Sequence, residues 1–251
     1  MKIAFCFLSY HTIIRYDIWN KFFENIDYDK YCVYIHPKDK NNIDVSNFHF
    51  HNFICDPIIQ TVAKYDISIV KATLKLLEYA YINDNHITHF IFLSQSCIPL
   101  YNFDKIYNLL KLVDLSIVSY IQDNKKERYY QLTNIIKKFI KYSSFVKQQP
   151  NMILIRNDVR DLINKDYTFY FKNMTCPDEH YFINVLLYLL RKNIIKKQIN
   201  FCNPDLNKTQ ALEYNFIDKN FIKQLRSYGF LFMRKVNKNS IIDMDYITCV
   251  S

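Results

Sequence analysis

The order of apolar runs along the chain is the feature that most limits its fold. A run of strand length, residues 2–10, is followed by helical spacing over residues 17–25 and by a second strand-like run at residues 31–36. Strand, helix and strand in succession indicate an α/β sheet. Residues 66–81 give the strongest helical pattern and lead into a buried central strand, residues 89–93. We therefore predict an α/β fold with a mixed, mostly parallel sheet flanked by helices.

The remaining apolar patterns extend this sheet without any repeat or flexible linker. Pro150 precedes residues 151–155, which indicates an antiparallel or edge strand there. We predict one domain over residues 1–236, followed by a loosely held tail over residues 237–251. The further predicted strands cover residues 48–54, 115–121, 194–201 and 230–234, and the further predicted helices cover residues 104–112, 132–141, 183–190 and 219–228.

The composition is that of a globular protein with a basic surface. Half of the 251 residues are apolar and 17% are aromatic, and the single glycine leaves tight turns to Asn and Asp. The formal charge of +9 suits an anionic partner such as a nucleic acid, a membrane surface or a phosphorylated substrate. Because the lysines are scattered and form only short doublets, the chain has no dense basic arm, and we predict no nucleic-acid partner.

Seven cysteines without a C-x-x-C pair indicate a reducing compartment. The odd number, and the apolar surroundings of four of them, are typical of free thiols. The N-terminal apolar run is too short for a membrane span and lacks a cleavage site, and no other run reaches about 18 uncharged apolar residues. These features predict a cytoplasmic protein without a membrane anchor.

Several groups of possible metal ligands are present, but none has the spacing of a complete site. They are His49 and His51 with Cys55, His86 with His89, Asp27 and Asp29 in a predicted turn, and Asp243 and Asp245 in the predicted tail. A structural zinc site needs four ligands in a closed set, which these spacings do not supply. We therefore predict no metal site and no cofactor.

Residues 175–182 place two carboxylates directly before a long apolar run. Thr175 and Asp178 fit the Thr-x-x-acid pattern of a capping box, so we predict that Asp178 caps a helix whose first turn also carries Glu179. Taken alone, the stretch favours a well-capped helix, and catalytic carboxylates on a rigid element are the alternative.

Polar side chains also follow the predicted strands of the sheet. Open α/β sheets bind ligands outside the carboxyl ends of their strands, so these positions are candidates for a binding site. They are Ser94, Gln95 and Ser96 after the central strand, and Tyr10, His11 and His36 at the ends of the first two strands.

Motifs in a fixed order resemble one enzyme family. The sequence FIFLSQSCIPLYNF (residues 90–103) resembles the "FVLLSESCIPLYNF" block of the plant branch of the core-2/I-branching β-1,6-N-acetylglucosaminyltransferases. CPDEHY (residues 176–181) resembles the family's "C-x-DEHY" block, and FLFMRK (residues 230–235) resembles its "FLFARKF" end. The opening strand and residues 34–38 are similar more weakly. The resemblance spans about residues 2–236 and implies glycosyltransferase family 14: a GT-A fold and inverting transfer from a UDP-sugar without a metal ion.

The resemblance also implies roles for individual residues. It places the catalytic base on Glu179, with Asp178 as the fallback, because an inverting transfer needs a base within reach of the acceptor hydroxyl. Most GT-A enzymes hold a cation with Asp-x-Asp after a central strand. Ser94, Gln95 and Ser96 occupy that position here and cannot supply the charge that a hard cation needs.

Basic side chains must then stabilise the departing diphosphate. The resemblance assigns this role to Arg234 and Lys235, and to Lys197 in place of a family arginine. It puts Tyr10, His11 and His36 on the donor side. Ser94, Gln95 and Ser96, together with His180, are expected on the acceptor side.

The family's "KGSQWF" block is replaced by residues 147–152, KQQPNM, so the acceptor pocket is expected to be remodelled. The resulting prediction is a metal-independent, inverting glycosyltransferase that moves GlcNAc or a related sugar from a UDP-sugar to a glycan or a glycosylated protein. A catalytically degenerate glycan- or UDP-binding relative and a UDP-sugar hydrolase remain as alternatives. The composition suggests a viral or unusual microbial source.

Overall fold

The computed structural model describes residues 1–62, 66–203 and 211–243. Its strands are β1 Lys2–Ser9, β2 Tyr31–Pro37, β3 Asn52–Ile54, β4 Ile87–Ser94, β5 Ile98–Pro99, β6 Ser116–Gln122, β7 Val146–Ile155, β8 Ile194–Ile195, β9 Asn200–Cys202, β10 Tyr214–Ile217, β11 Phe232–Arg234 and β12 Val236–Ile242. Its α-helices are α1 Tyr16–Phe23, α2 Ser68–Asn83, α3 Phe103–Leu110, α4 Lys126–Tyr130, α5 Asn134–Lys137, α6 Arg156–Asn164, α7 Tyr181–Asn184 and α8 Lys219–Ser227.

The predicted α/β fold is confirmed. Seven strands form one sheet in the order β3-β2-β1-β4-β7-β6-β8. All neighbouring pairs are parallel except those of β7, which runs antiparallel to both β4 and β6. The antiparallel direction predicted for residues 151–155 is correct. The alternative edge position is wrong, because β7 lies between β4 and β6. The ladder between β6 and β7 shifts register between Val118 and Tyr120, which accommodates Pro150 inside the sheet.

The central strands are buried on both faces, which explains their continuous apolar runs. On one face, α1 and α3 contribute an aromatic cluster in which Trp19 packs against Phe5 and Phe7 at centroid distances of 6.0 and 5.1 Å. The Trp19 indole N–H donates to the Cys97 carbonyl oxygen at 3.1 Å, which ties α1 to the loop after β4. On the other face, residues of α2, α6 and α7 share one apolar cluster with the sheet.

The chain beyond Val236 continues as strand β12, where we expected a loosely held tail. β12 pairs in parallel with β10, and Ser240 within it is 6% exposed. The Arg15 guanidinium donates to the Ser240 carbonyl oxygen at 2.8 Å. The described structure therefore extends through residue 243, and residues 244–251 lie outside it.

Several predicted elements differ in detail from the structure. Helix α1 begins at Tyr16 without a side-chain cap, and Asp17 in its first turn is bound by the Arg15 guanidinium at 2.9 and 2.6 Å. Helix α6 is absent from the prediction. The helix expected over residues 183–190 is the short α7 followed by a π-helical turn, and the strand expected over residues 194–201 is divided into β8 and β9. No helix among the described residues combines the length and apolar character needed to cross a bilayer.

Candidate active site

The carboxyl ends of the parallel strands bring the candidate residues to one edge of the sheet. Ser94 ends β4, Asp123 follows β6, and Tyr10 follows β1. Strand β7 runs in the opposite direction, so Lys147 near its start lies at this same edge. The site is therefore assembled from strand ends and from the turn that precedes α7.

The turn that carries Glu179 is built differently from the predicted capping box. Cys176 adopts a left-handed conformation with φ of 55°, and residues Pro177–Glu179 form a single 3₁₀ turn. The side chain of Gln131 binds Thr175, accepting from its backbone N–H at 2.7 Å and donating to its hydroxyl at 3.1 Å. Because Thr175 is held by Gln131 and no side chain caps the turn, the prediction of Asp178 as a helix cap is wrong.

The Glu179 carboxylate is held by two cations. Its Oε2 atom lies 3.2 Å from the Arg128 guanidinium and 3.1 Å from Lys147 Nζ. The side chain is 34% exposed, so solvent and a substrate can reach it. Within the described residues, Oε1 makes no hydrogen bond and remains available to accept a proton.

His180 is buried below this turn and fixes it to the sheet. Its ring is fully buried, Nε2 lies 2.7 Å from Asp123 Oδ2, and Nδ1 lies 3.0 Å from the Cys176 carbonyl oxygen. The ring also stacks on Phe145 at a centroid distance of 4.9 Å. Because both nitrogens have protein partners, the expected contact of His180 with an acceptor is not available in this structure, and its position points to a supporting role.

Asp123 joins His180 to Arg128. Burial opposes the charged carboxylate, but hydrogen bonds from the Lys125 backbone N–H and from His180, with the charge of Arg128, together lower the pKa of Asp123. Arg128 Nη1 lies 3.5 Å from Asp123 Oδ2 and also contacts Glu179. The buried carboxylate thus orients the cation that holds the candidate base.

Asp178 lies beside Glu179 in a less favourable environment. Burial, and then the neighbouring charge of Glu179, raise the pKa of the Asp178 carboxyl. The two adjacent carboxylates therefore differ: Asp178 is disfavoured as an anion, whereas Glu179 is paired with two cations.

The loop after β4 is stabilised by its own polar side chains. The Gln95 amide oxygen accepts from the Tyr10 backbone N–H at 2.6 Å and from the Ser9 hydroxyl at 3.2 Å. The Ser94 hydroxyl lies 3.3 Å from the Ser96 hydroxyl and 3.2 Å from Cys97 Sγ. The structure therefore brings Tyr10 and this loop together, as the sequence indicated, although Gln95 serves to join the ends of β1 and β4.

The segment of Arg234 and Lys235 lies against the same loop. The Val236 backbone N–H donates to the Ser96 carbonyl oxygen at 3.1 Å, and Arg234 pairs with Cys202 of β9. Among the described residues, the buried Nε atom of Arg234 has no hydrogen-bond partner, and neither do the two amide atoms of the fully buried Asn200.

Strand β7 connects the Glu179 turn with the loop after β4. Lys147 contacts Glu179, and Asn151, four residues further along, donates to Cys97 Sγ at 3.4 Å. Four residues of extended chain span at most about 13 Å. The Glu179 turn and the loop after β4 are therefore joined by a short segment of β7.

The structure does not bring Lys197 to Lys235. Lys197 Nζ lies beside Gly229, since a Cβ atom added at Gly229 would be 3.3 Å from Nζ. Gly229 precedes β11, whereas Lys235 follows it, and β9 runs parallel to β11. Lys197 therefore lies at the opposite end of these strands, and the prediction that it binds the diphosphate has no support from its position.

The two candidate donor-side histidines are in different environments. His36 is 1% exposed, accepts from the Ile59 backbone N–H at 2.9 Å, and has a pKa lowered by burial, so it supports the strand end from within. His11 is exposed, and its carbonyl oxygen accepts from Asp44 N–H at 3.0 Å. Tyr10 is 58% exposed, with Lys38 Nζ 5.1 Å from its ring centroid, so Tyr10 and His11 are open to a ligand and the His36 ring is not.

Within residues 1–62, 66–203 and 211–243, no group of three or more His, Cys, Asp or Glu side chains is placed to hold a metal ion. Asp27 forms an exposed ion pair with Lys30 at 3.4 Å. Of the second Asp-x-Asp, Asp245 lies outside the described residues.

Sequence reasoning missed that Arg128, Lys147 and Asp123 lie around the Glu179 turn. Arg128 and Lys147 are separated from Glu179 by long stretches of chain, and only the fold brings them within 3.2 Å of its carboxylate. A signal for Asp123 was present, since it stands two residues after a predicted strand, close to where ligand sites of α/β sheets lie.

Comparison with known proteins finds similarity to glycosyltransferases. The rice (Oryza sativa subsp. japonica) protein "Glycosyltransferase BC10" is 26% identical over 131 residues, which are 51% of this chain and 32% of that protein. Among solved structures, mouse xyloside xylosyltransferase 1 aligns over 95% of this chain and 99% of its own, with a TM-score of 0.45 and 9% identity. The bifunctional glycosyltransferase WbbM aligns over 92% of this chain and 45% of its own, with a TM-score of 0.40 and 11% identity.

The family comparison covers most of the chain. The match to the rice protein spans about a third of that protein's length. The model of the Core-2/I-Branching enzyme family matches residues 3–226, which include the loop after β4, the Glu179 turn and the candidate cations Arg128 and Lys147. This chain therefore belongs to the Core-2/I-Branching enzyme family.

Proposed function

We propose that this protein is an inverting glycosyltransferase that moves a sugar, GlcNAc or a related one, from a UDP-sugar to a glycan or a glycosylated protein without a metal ion. The observation that carries this proposal is the Glu179 carboxylate at the carboxyl edge of the sheet. Its Oε2 is bound by Arg128 and Lys147, its Oε1 is open, and its supporting turn is held by a buried histidine.

In the proposed reaction, Glu179 Oε1 accepts the proton of an acceptor hydroxyl as the hydroxyl oxygen attacks the anomeric carbon. The new glycosidic bond forms while the bond from the anomeric carbon to the UDP oxygen breaks, so the configuration inverts and UDP leaves with the electron pair. Arg128 and Lys147 hold Glu179 by one oxygen, which fixes the direction in which the other can accept a proton.

The negative charge that develops on the leaving diphosphate needs a positive partner. Lys235 follows β11 beside the loop after β4, and the half-buried Arg234 has an unpartnered Nε among the described residues. We assign diphosphate binding to these two side chains. The loop Ser94–Ser96 carries hydroxyl and amide groups and no carboxylate, which supports a metal-independent reaction.

A panel of UDP-sugars, assayed for UDP release with and without glycan acceptors and in the presence of EDTA, tests the proposal. One donor should give UDP release that depends on an acceptor, persists in EDTA and yields a product of inverted anomeric configuration. Release that is independent of any acceptor would show a hydrolase. Loss of transfer in EDTA, restored by a divalent cation, would refute the metal-free mechanism. Absence of both turnover and UDP binding would indicate a degenerate relative.

A further inference from the structure

A surface formed by residues 125–141, which we call the α4–α5 surface, exposes apolar side chains close to the Glu179 turn. Hydrogen bonds from Lys138 N–H to Ile135 O at 3.2 Å and from Ile140 N–H to Ile136 O at 3.0 Å continue the helical turn of α5 to residue 140. Ile136 and Ile140 are buried, whereas Ile135 is 52% exposed and Phe139 is 58% exposed. The turn is therefore apolar on its inner and its outer face.

A lysine contact joins the end of α4 to α5. Tyr130 is 67% exposed, and Lys137 Nζ donates to its carbonyl oxygen at 2.9 Å while lying 5.8 Å from its ring centroid. This contact fixes the end of α4 beside α5. Tyr130, Ile135 and Phe139 therefore expose apolar side chains on two short helical turns that this contact joins, and we call these three residues the patch.

The patch is surrounded by positive charge. Four lysines of the α4–α5 surface are exposed, at positions 125, 126, 138 and 141, and Glu127 is its exposed acid. Helix α3 provides a comparison, since Leu112 after it is 86% exposed, but the exposed charges there are balanced between Lys105 and Lys111 and Asp104 and Asp114. Exposed apolar side chains occur at both places, and an excess of lysines accompanies them at the α4–α5 surface.

We propose that the α4–α5 surface docks on an anionic lipid bilayer. Apolar side chains bordered by lysines are the composition that binds a membrane interface, with the apolar groups among the headgroups and the lysines near anionic lipids. A bilayer accepts separate outward side chains on a short helix, whereas a protein partner would need a matching pocket for each. The excess of lysines selects anionic over neutral lipid.

Docking in this orientation would hold the Glu179 turn near the membrane. Arg128 belongs to α4 and contacts Glu179 at 3.2 Å, and Gln131 follows α4 and binds Thr175. If the proposed function holds, the acceptor is then a glycoconjugate displayed at a membrane. The docking itself depends on neither the base assignment nor the donor.

Co-sedimentation of the full chain with lipid vesicles tests the proposal without any sugar substrate. The protein should bind vesicles of phosphatidylcholine mixed with phosphatidylserine, should bind phosphatidylcholine alone much less, and should be released as salt is raised. The double variant Ile135→Ser/Phe139→Ser and the double variant Lys138→Glu/Lys141→Glu should each weaken binding by about tenfold or more. All four side chains are exposed or point outward, and unchanged thermal unfolding would verify that both variants fold.

Leu112→Ser is the matched control, because it removes a more exposed apolar side chain from a surface with balanced charge. It should leave vesicle binding unchanged, and so should Glu179→Gln. Equal binding to neutral and anionic vesicles, an equal loss in the Leu112 variant, or no vesicle binding at all would overturn the proposal. Lysine-dependent binding to an acidic polypeptide without vesicle binding would show a protein partner in its place.

Discussion

Asp123 offers a direct test of how the candidate base is held. Its side chain is 5% exposed and accepts from His180 at 2.7 Å and from the Lys125 backbone N–H at 2.9 Å, with a weaker contact to Arg128 at 3.5 Å. Replacement by Ala removes all three contacts and leaves the fully buried His180 ring without its Nε2 partner. Replacement by Asn keeps the size and an acceptor for Lys125 but removes the charge.

The cost of each change follows from these contacts. A buried group left without its partner costs about 1–3 kcal/mol, and an ordinary hydrogen bond contributes about 1 kcal/mol. Asp123→Ala should therefore lower the free energy of unfolding by about 3 kcal/mol, and Asp123→Asn by about 1–2 kcal/mol. For a protein of this size, the Ala variant should unfold about 6–12 °C lower than the parent.

Urea unfolding at pH 7, with the slope of the transition compared between variants, measures these differences. Asp56→Ala is the control, since Asp56 makes an exposed pair with Lys40 and its removal should cost less than about 1 kcal/mol. Because the pKa of Asp123 is lowered in the folded protein, its contribution is complete above about pH 4 and is lost as the pH falls through that lowered pKa. An Ala variant within 1 kcal/mol of the parent at pH 7, or a difference that grows in acid, would show that these contacts do not stabilise the fold.

Three further outcomes follow from the same structure. Lys235→Ala should weaken UDP binding in titration calorimetry by about tenfold or more. Lys197→Ala should leave UDP binding unchanged, because Lys197 lies beside Gly229, at the opposite end of β11 from Lys235. Equal losses in the two variants would contradict the placement of the diphosphate. Asp178→Asn should be more stable than the parent at pH 7, because burial and Glu179 raise the pKa of Asp178. The gain should vanish below about pH 4, where the Asp178 carboxyl is neutral in the folded and the unfolded chain. A loss of stability at pH 7 would show an unrecognised partner of Asp178. Trp19→Ala should lower the free energy of unfolding by about 3–5 kcal/mol, because the ring is fully buried and its N–H donates to the Cys97 carbonyl oxygen. A cost below about 1 kcal/mol would show that packing of α1 does not stabilise the loop after β4.

The sequence predicted the sheet well where the chain is apolar and continuous. Strands β1, β2 and β4 are buried on both faces, so their sequences carry an unambiguous run. Helix α6 escaped prediction although Val159, Leu162 and Ile163 have helical spacing, because charged residues separate them and no capping side chain marks its start. Strand β12 carries Asn, Lys and Ser, and its pairing with β10 depends on contacts distant in sequence.

For the site, the sequence supplied the carboxylates but not their surroundings. The motif around Glu179 was read as a capping box, yet Thr175 is bound by Gln131, which lies 44 residues earlier. His180 looked like an acceptor contact because its neighbours are catalytic candidates, and burial places it below the turn instead. The cations on Glu179 come from α4 and β7, so no local pattern could have joined them.

The transfer rate of Glu179→Gln with the active donor and acceptor shows whether Glu179 is the base. Gln keeps the shape of the side chain but cannot take a proton, so kcat should fall by about 10²-fold or more while UDP binding is unchanged. Glu127→Gln, which neutralises an exposed acid next to Arg128, is the matched control and should keep full activity. Full activity in Glu179→Gln, or its loss in Asp178→Asn alone, would contradict the assignment of Glu179 as the base.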